Sequence, residues 1–388
     1  MPIYDRQIHI VSFDVPFPPS YGGVIDVYYK IKALHEMGIK VHLHCYKYGR
    51  DEAPELNSIC ASVNYYKRER FSNPYIGTKP YIVRTRNTRR LLSNLMLDNH
   101  PILFEGLHSC YHLVNPALEH RFKMVRMHNI EHDYYTNLAN VERNPAKKYF
   151  FKLESRRLSN FEFTLKHANC ILAISPNDKK YLETKFENVV YVPAFHPNTK
   201  VETKTGKGDF ILYHGNLEVG ENDQAALYLV NEVFSRMSLP CVIAGNNPST
   251  LLKQVVKKYP NISLVESTSI ESVHALIREA QVNVLPTFQA TGIKLKLINA
   301  LFIGRHCVVN TAMICNTGLK ALCIEANDPQ TMAAEIACVF EKEFTEADIE
   351  KRKHFFDTHF NNHESAKQVI AILNRRDSHN NYRDQDKD

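Results

Sequence analysis

Residues 291–301 read TGIKLKLINAL, and whether they form a strand or a helix decides how the second half of the chain folds. From Ile293 to Leu297 apolar residues alternate with Lys294 and Lys296, the period-two pattern of a half-buried strand with one basic face. Leu297, Ile298, Ala300, Leu301 and Phe302 break that alternation, and Gly292 and Gly304 bracket a block of helical length. The neighbouring segments decide between the two. VNVLP (282–286) and HCVVN (306–310) both read as strands, and consecutive parallel strands need a right-handed crossover between them. A strand of IKLKL leaves too little chain for it, so a helix is predicted from near Gly292 to a stop at Gly304. Lys294 and Lys296 then fall in its first turn, where the helix dipole disfavours cations by a few tenths of a kcal/mol unless an anion is bound. A phosphate at the helix start explains the placement; two solvated lysines are the alternative.

The alternation of strand and helix extends outward in both directions. Strand-like runs stand at 7–13, 40–46, 102–107, 124–128, 170–175 and 189–193, and VIDVYYKIKALHEMG (24–38) places Val24, Val27, Tyr28, Ile31 and Leu34 at helical spacing. A polar break with Pro197, Gly206 and Gly208 follows, and then strands at 210–215, 241–245, 261–266, 282–286 and 306–310. Helices begin near Asn222 and occupy 248–259 and 270–280. The expectation is an α/β protein of two Rossmann-like domains, 1–195 and 210–374, each with a parallel sheet, joined by a linker at 196–209. The last helix is expected to pack back on the first domain, and the apolar-poor end, 375–388, to be a disordered tail. DQD at 384–386 has no rigid context and is set aside as a metal site.

Composition bounds the function. The chain has 388 residues, 44% hydrophobic and 23% charged, with nine scattered cysteines and neither a CxxC pair nor a zinc-spaced cluster. Those cysteines are expected to be reduced and mostly buried. MPIYDRQIHIVSF lacks the features of a secretory signal and no run approaches the roughly 18 apolar residues of a membrane span, so a cytoplasmic protein is expected. Residues 1–200 carry 28 Lys+Arg against 19 Asp+Glu, whereas the remainder carries 20 against 23. The excess is densest at 65–90, YYKRERFSNPYIGTKPYIVRTRNTRR, where eight basic residues face Glu69 alone. A solvated surface, an anionic membrane or lipid-linked substrate, and nucleic acid compete as readings. No nucleic-acid motif accompanies the segment, so no nucleic-acid partner is expected.

Three loops could carry chemistry. FPPSYGGV (17–24) sets Gly22 and Gly23 between a strand and a helix, where backbone N–H groups can meet a ligand or where a tight turn needs them. VRMHNIEHDYY (125–135) puts His128 at a strand's carboxyl end, positioned to orient a hydroxyl or to serve as a structural histidine. YHGNLEVGEN (213–222) presents Gly215 and Asn216 as phosphate donors or as a plain turn. There is no GxGxxG fingerprint and no P-loop.

In this order and spacing the Gly-Gly loop, the strand ending in His128-Asn129, the Gly215 loop and the Gly292 segment before INALFIGRHCVV resemble GT-B glycosyltransferases. The nearest likeness is to the retaining, nucleotide-sugar-dependent family 4, or group 1. The resemblance implies two Rossmann-like domains facing a central cleft and no cofactor beyond a nucleotide-diphosphate sugar as co-substrate. Lys294 and Lys296 would meet the diphosphate, with Gly215, Asn216, Gly292 and Asn299 also binding the donor. His128 would stand near the transferred sugar, and Gly22 and Gly23 would line the acceptor side. Metal-independent transfer to a glycan or lipid-linked acceptor in surface polysaccharide synthesis follows, peripheral on the inner face of the cytoplasmic membrane through 65–90. Asn299 and His306 stand where Glu and Pro are usual, and Glu221 precedes Asn222 where a subgroup has Pro. A GT-B sugar epimerase and a degenerate, binding-only homologue are the rival readings.

Overall fold

In a computed structural model of the chain, residues 6–69, 73–142, 144–266, 269–288, 294–315 and 317–384 are described. They fall into two units, one built from Met1–Pro197 and Phe360–Asp388, the other from Asn198–Ala290 and Lys294–His359.

The first unit holds a seven-stranded sheet of β1 (Gln7–Ser12), β2 (Lys40–Lys47), β3 (Ser62–Lys67), β4 (Ile102–Glu105), β5 (Lys123–Met127), β6 (Cys170–Ala173) and β7 (Val189–Tyr191). Every pairing is parallel, in the order β3-β2-β1-β4-β5-β6-β7. A parallel sheet is covered on both faces, which is why its central strands carry short apolar runs. Ile8, Ile10 and Leu43 pack on one face with Val27, Ile31 and Leu34 of the helix Gly22–Glu36 and with Val369 and Ile370 of the helix Asn362–Asp384. Val11, Phe104 and Val125 face the other way, against Leu91, Leu158 and Phe161. Two glycines and several β-branched residues make Gly22–Glu36 a poor helix in isolation. Val24, Val27, Ile31 and Leu34 are fully buried, at about 1.5–3 kcal/mol each, and that burial holds the helix in place.

The second unit repeats the design with β8 (Ile211–His214), β9 (Cys241–Gly245), β10 (Ile262–Glu266), β11 (Val282–Val284), β12 (His306–Val309) and β13 (Ile324–Glu325). Its order is β10-β9-β8-β11-β12-β13, again all parallel. KLKLINAL (294–301) enters the helix Leu295–Ile303, with Lys294 at its N-cap and Gly304 at its C-cap. Leu297, Ile298, Ala300, Leu301, Phe302 and Ile303 are buried, so the crossover helix is enclosed on most of its circumference. The helix starts three positions after Gly292, so of the pair only Lys296 lies in its first turn. Gly292 lies outside the described residues.

Two further expectations need adjusting. The segment 196–209 is tied to the second unit from Asn198 onward: Glu202 N–H donates to Phe302 O (2.8 Å), Gly208 N–H to Gln281 Oε1 (2.8 Å), and Gly206 pairs with Phe344. Its polar residues are held by hydrogen bonds, which an apolar-period reading does not register. The backbone at 375–384, expected as a disordered tail, continues the helix Asn362–Asp384. No Gly or Pro interrupts that stretch.

Candidate functional site

Each sheet reverses its strand order once, between β1 and β4 in the first unit and between β8 and β11 in the second. Ligands of open α/β sheets collect beyond the strand carboxyl ends at such points. Gly22 and Gly23 come after β1, Gly215 and Asn216 after β8, and His128 after β5.

In the first unit, Gly22 and Gly23 open their helix just after Tyr21, whose hydroxyl donates to Asp14 Oδ2 (2.9 Å). A Cβ on Gly23 would come within 2.6 Å of Phe13 Cζ, so the glycine lets the helix start against that ring. Gly106, just past β4, has φ +67°, and a Cβ there would meet His108 Nδ1 at 3.0 Å. Phe13 packs against both His108 (5.7 Å) and His128 (5.4 Å, edge-on).

His128 follows β5 directly and donates through Nε2 to Glu105 Oε2 (2.9 Å). Behind it lies a set of buried charges that sequence reasoning missed. Lys30 Nζ donates to Asp26 Oδ2 (2.9 Å) and to both oxygens of Glu105 (2.8 and 2.9 Å). Arg126 donates to both oxygens of Asp26 (3.1 and 2.9 Å) and to the carbonyls of Val192 (2.6 Å) and Pro193 (3.1 Å). Burial alone would raise the Asp26 carboxyl pKa; Arg126 and Lys30 outweigh it and hold the group well below the usual range. Glu105 is likewise lowered, with Lys30 and then His128 overriding burial. The signal was present in the sequence: Asp26 and Lys30 sit four apart on the buried side of a helix, and Glu105 and Arg126 interrupt apolar strands. Asp26, Glu105 and His128 lie close enough to share a cation. Lys30 already supplies one, bridging both carboxylates, so this donor set does not fit a resident metal.

Glu131, at the start of the helix Glu131–Val141, is 1% exposed, with His108 Nε2 3.6 Å from Oε2. Burial pushes its carboxyl up to about 8, against smaller lowering effects of Asn129 and Arg86. Its folded pKa lies above its ordinary value of 4.5, so its contribution to stability is present in acid and is lost as pH rises through about 8. Glu131→Gln removes that ionisation. Its stability relative to the parent should therefore improve from pH 5 to pH 8, by up to about 1.4 kcal/mol per pH unit. Urea denaturation at several pH values checks this; a difference that does not vary with pH would show that the carboxyl is not held neutral.

The second unit gathers four of the expected residues. Gly215 follows β8, and a Cβ on it would lie 3.2 Å from Asn222 Cγ. Asn222 donates through Nδ2 to Asn216 O (2.9 Å) and accepts from Lys296 Nζ at Oδ1 (3.0 Å). Lys296 also lies 5.4 Å from the Tyr213 ring centroid. Lys294 and Lys296 retain some exposed area yet are densely surrounded by protein atoms. That enclosure lowers the ammonium pKa of Lys294, and brings Lys296 down to about 8, although Glu221 opposes the shift in both. Glu221, which accepts from Thr287 Oγ1, is a partial counter-charge that the sequence reading did not weigh. His214, at the end of β8, is buried with no hydrogen bond to Nε2, and burial pulls it down to about 3.

Asn299 lies apart from Asn222 in its bonding: Oδ1 accepts from Asn198 (2.7 Å) and Nδ2 stands 3.1 Å from His274 Nε2. His306, at the Pro position of the resemblance, meets Lys342 O through Nε2 (3.1 Å).

The model of the family "Glycosyl transferases group 1" matches residues 208–342. An uncharacterized 44.6 kDa protein in the cps region of Klebsiella pneumoniae is 27% identical over 321 residues, 76% of this chain and 80% of its own length. Sucrose-phosphate synthase from Thermosynechococcus elongatus has a similar structure, with a TM-score of 0.67 at 14% identity over 96% of this chain and 99% of that one. A TarM variant from S. aureus, in complex with fondaparinux, alpha-GlcNAc-glycerol and UDP, scores 0.66 at 10% identity, covering 95% and 100%. HepE from Anabaena, in complex with UDP and glucose, scores 0.62 at 10%, covering 96% and 100%. The chain has the GT-B fold, and its residues 208–342 match the model of the group 1 glycosyl transferases.

Proposed function

We propose that the protein transfers a sugar from a nucleotide-diphosphate donor to a hydroxyl of a glycan or lipid-linked acceptor, with retention at the anomeric carbon and without a metal. The observation that carries this reading is the pair of enclosed lysines, Lys294 and Lys296, at the head of a helix inside the segment matched by the glycosyltransferase family. Enclosure disfavours an ammonium, and a bound anion would offset that cost.

The leaving diphosphate gains negative charge as the glycosidic bond breaks. Lys294, Lys296 and the dipole at the start of the Leu295–Ile303 helix would stabilise that charge, as fixed donors do at a developing oxyanion. Gly215 and Asn216 would lie along the donor, and Asn222 would hold Lys296 in place. Asn299 would offer a ribose hydroxyl an amide without charge, provided it gives up part of its contact with Asn198 or His274. His128 would orient the sugar or the acceptor hydroxyl, its own orientation fixed by Glu105, and the Gly22–Gly23 loop would line the acceptor side. The acceptor's proton would leave with the departing diphosphate oxygens.

The cps-region relative supports a place in capsular polysaccharide synthesis. UDP in the TarM and HepE complexes supports a nucleotide-diphosphate donor. The binding-only reading draws on the existing hydrogen bonds of Asn299. Incubation with UDP- and GDP-sugars and a hydroxyl acceptor, followed by NMR of the anomeric proton, tests the proposal. It predicts a glycoside of the donor's own anomeric configuration. Sugar isomerisation without acceptor would favour the epimerase, and no turnover of any donor the binding subunit.

A further inference from the structure

We propose that the outer face of the helix Pro145–Glu162, with Tyr75 and Ile76 beside it, docks the protein on an anionic lipid membrane. The proposal rests on the reading of a lipid-linked acceptor and identifies the surface that would meet the bilayer.

The basic stretch 65–90 suggested such a surface from its charge, but the structure uses part of that charge internally. Arg86 is buried, donating to Phe13 O (3.0 Å) and Ile82 O (2.7 Å). Arg68 donates to Thr85 Oγ1 (2.7 Å) and stacks on Tyr48 at 4.1 Å, and Arg84 donates to Ile76 O. The stretch instead brings Tyr75 and Ile76 beside the helix next door. Tyr75 stacks on Tyr149 with ring centroids 5.9 Å apart, and its hydroxyl donates to Ala146 O (3.2 Å). Arg157 fixes the loop from below by donating to Pro74 O (2.8 Å).

The helix is two-sided. Glu154, Arg157, Leu158 and Phe161 are buried, whereas Tyr149, Lys152 and Arg156, spaced i, i+3 and i+7, form an exposed stripe on the opposite side. Lys147 is exposed beside it, and the one carboxylate between 145 and 156, Glu154, is buried. Tyr149 is 62% exposed and Ile76 64%, more than a large apolar side chain needs for packing. Exposed aromatic and aliphatic groups flanked by lysine and arginine match the interfacial zone of a bilayer, where rings lie at headgroup level and cations meet anionic lipid. An acidic protein would satisfy the cations but gives no reason for Tyr149 and Ile76 to be uncovered together. Among the described residues no helix is long and apolar enough to cross a membrane, so attachment through this face would be peripheral.

The test is co-sedimentation of the full chain with vesicles of phosphatidylethanolamine and phosphatidylglycerol, and separately with phosphatidylcholine vesicles. Binding is expected to the anionic vesicles only and to weaken with salt. Lys152→Gln with Arg156→Gln should weaken it about fivefold per charge, and Tyr149→Ser with Ile76→Ser should also weaken it, with melting temperatures unchanged. Equal binding to both vesicle types would overturn the proposal. So would an unaltered affinity in both double variants, or a chain dimer that Tyr149→Ser disrupts while vesicles stay unbound. Stabilisation by UDP or GDP is measured on the same samples. Its persistence without vesicle binding overturns the docking face alone, and its absence with vesicle binding overturns the donor reading alone.

Discussion

Lys296→Ala should lower the transfer rate by about 10²–10³-fold, the range seen when one fixed donor is removed from a developing oxyanion. Lys294→Ala should lower it too, and the double variant should lose more. Truncation leaves Asn222 Oδ1 without its 3.0 Å donor and removes the cation over Tyr213, while the buried apolar face of the helix is untouched. The melting temperature should therefore hold or rise slightly, since an enclosed cation has been deleted. There is also a proton signature. Enclosure brings Lys296 down to about 8, so above that pH the empty protein carries it increasingly neutral. A diphosphate raises the pKa again, and binding at pH 8–9 should take up protons. Calorimetry in buffers of different ionisation enthalpy measures that uptake; its absence in the parent protein would argue against an anion at Lys296.

The largest stability effect is expected from the buried charges of the first unit. Arg126→Ala leaves Asp26 short of one of its two cations and strips donors from the Val192 and Pro193 carbonyls. Breaking a buried pair from one side costs about 3–5 kcal/mol, and urea denaturation should show that loss at pH 7. Asp26 has a depressed folded pKa, so its contribution is present above the ordinary value of 3.8 and is lost as pH falls through the folded pKa. The variant's Asp26 should titrate higher, so its deficit should shrink as pH drops below about 4. A deficit under about 1 kcal/mol, constant with pH, would mean that water or a rearranged Lys30 replaces the guanidinium.

The fold could be read from the sequence because its strands are central and parallel. Runs such as QIHIVS and ILFE stand out from the helices between them, and the crossover rule turned IKLKL from an apparent strand into a helix. Hydrogen-bonded polar segments were harder to read, since 198–209 is fastened by backbone and amide contacts that leave no apolar period. Parts of the site were equally hidden. His128 and Asn216 stood out as candidates because they follow strands, whereas Glu105 and Lys30 leave only a charge on a buried face, which gains meaning when separate elements bring them together. Glu221 had the opposite fate: read as a departure from a family pattern, it lies where its charge opposes the lowering of Lys294 and Lys296.

The central claim is that a nucleotide diphosphate is held at Lys294 and Lys296. Thermal unfolding of the protein and of its Lys296→Ala variant, each with UDP, GDP and their sugars, tests it most directly. A ligand at one hundred times its Kd should stabilise the parent by about 2.7 kcal/mol, a rise of several degrees, and the variant by far less. No stabilisation of the parent by any nucleotide, or an equal shift in both proteins, would contradict the account.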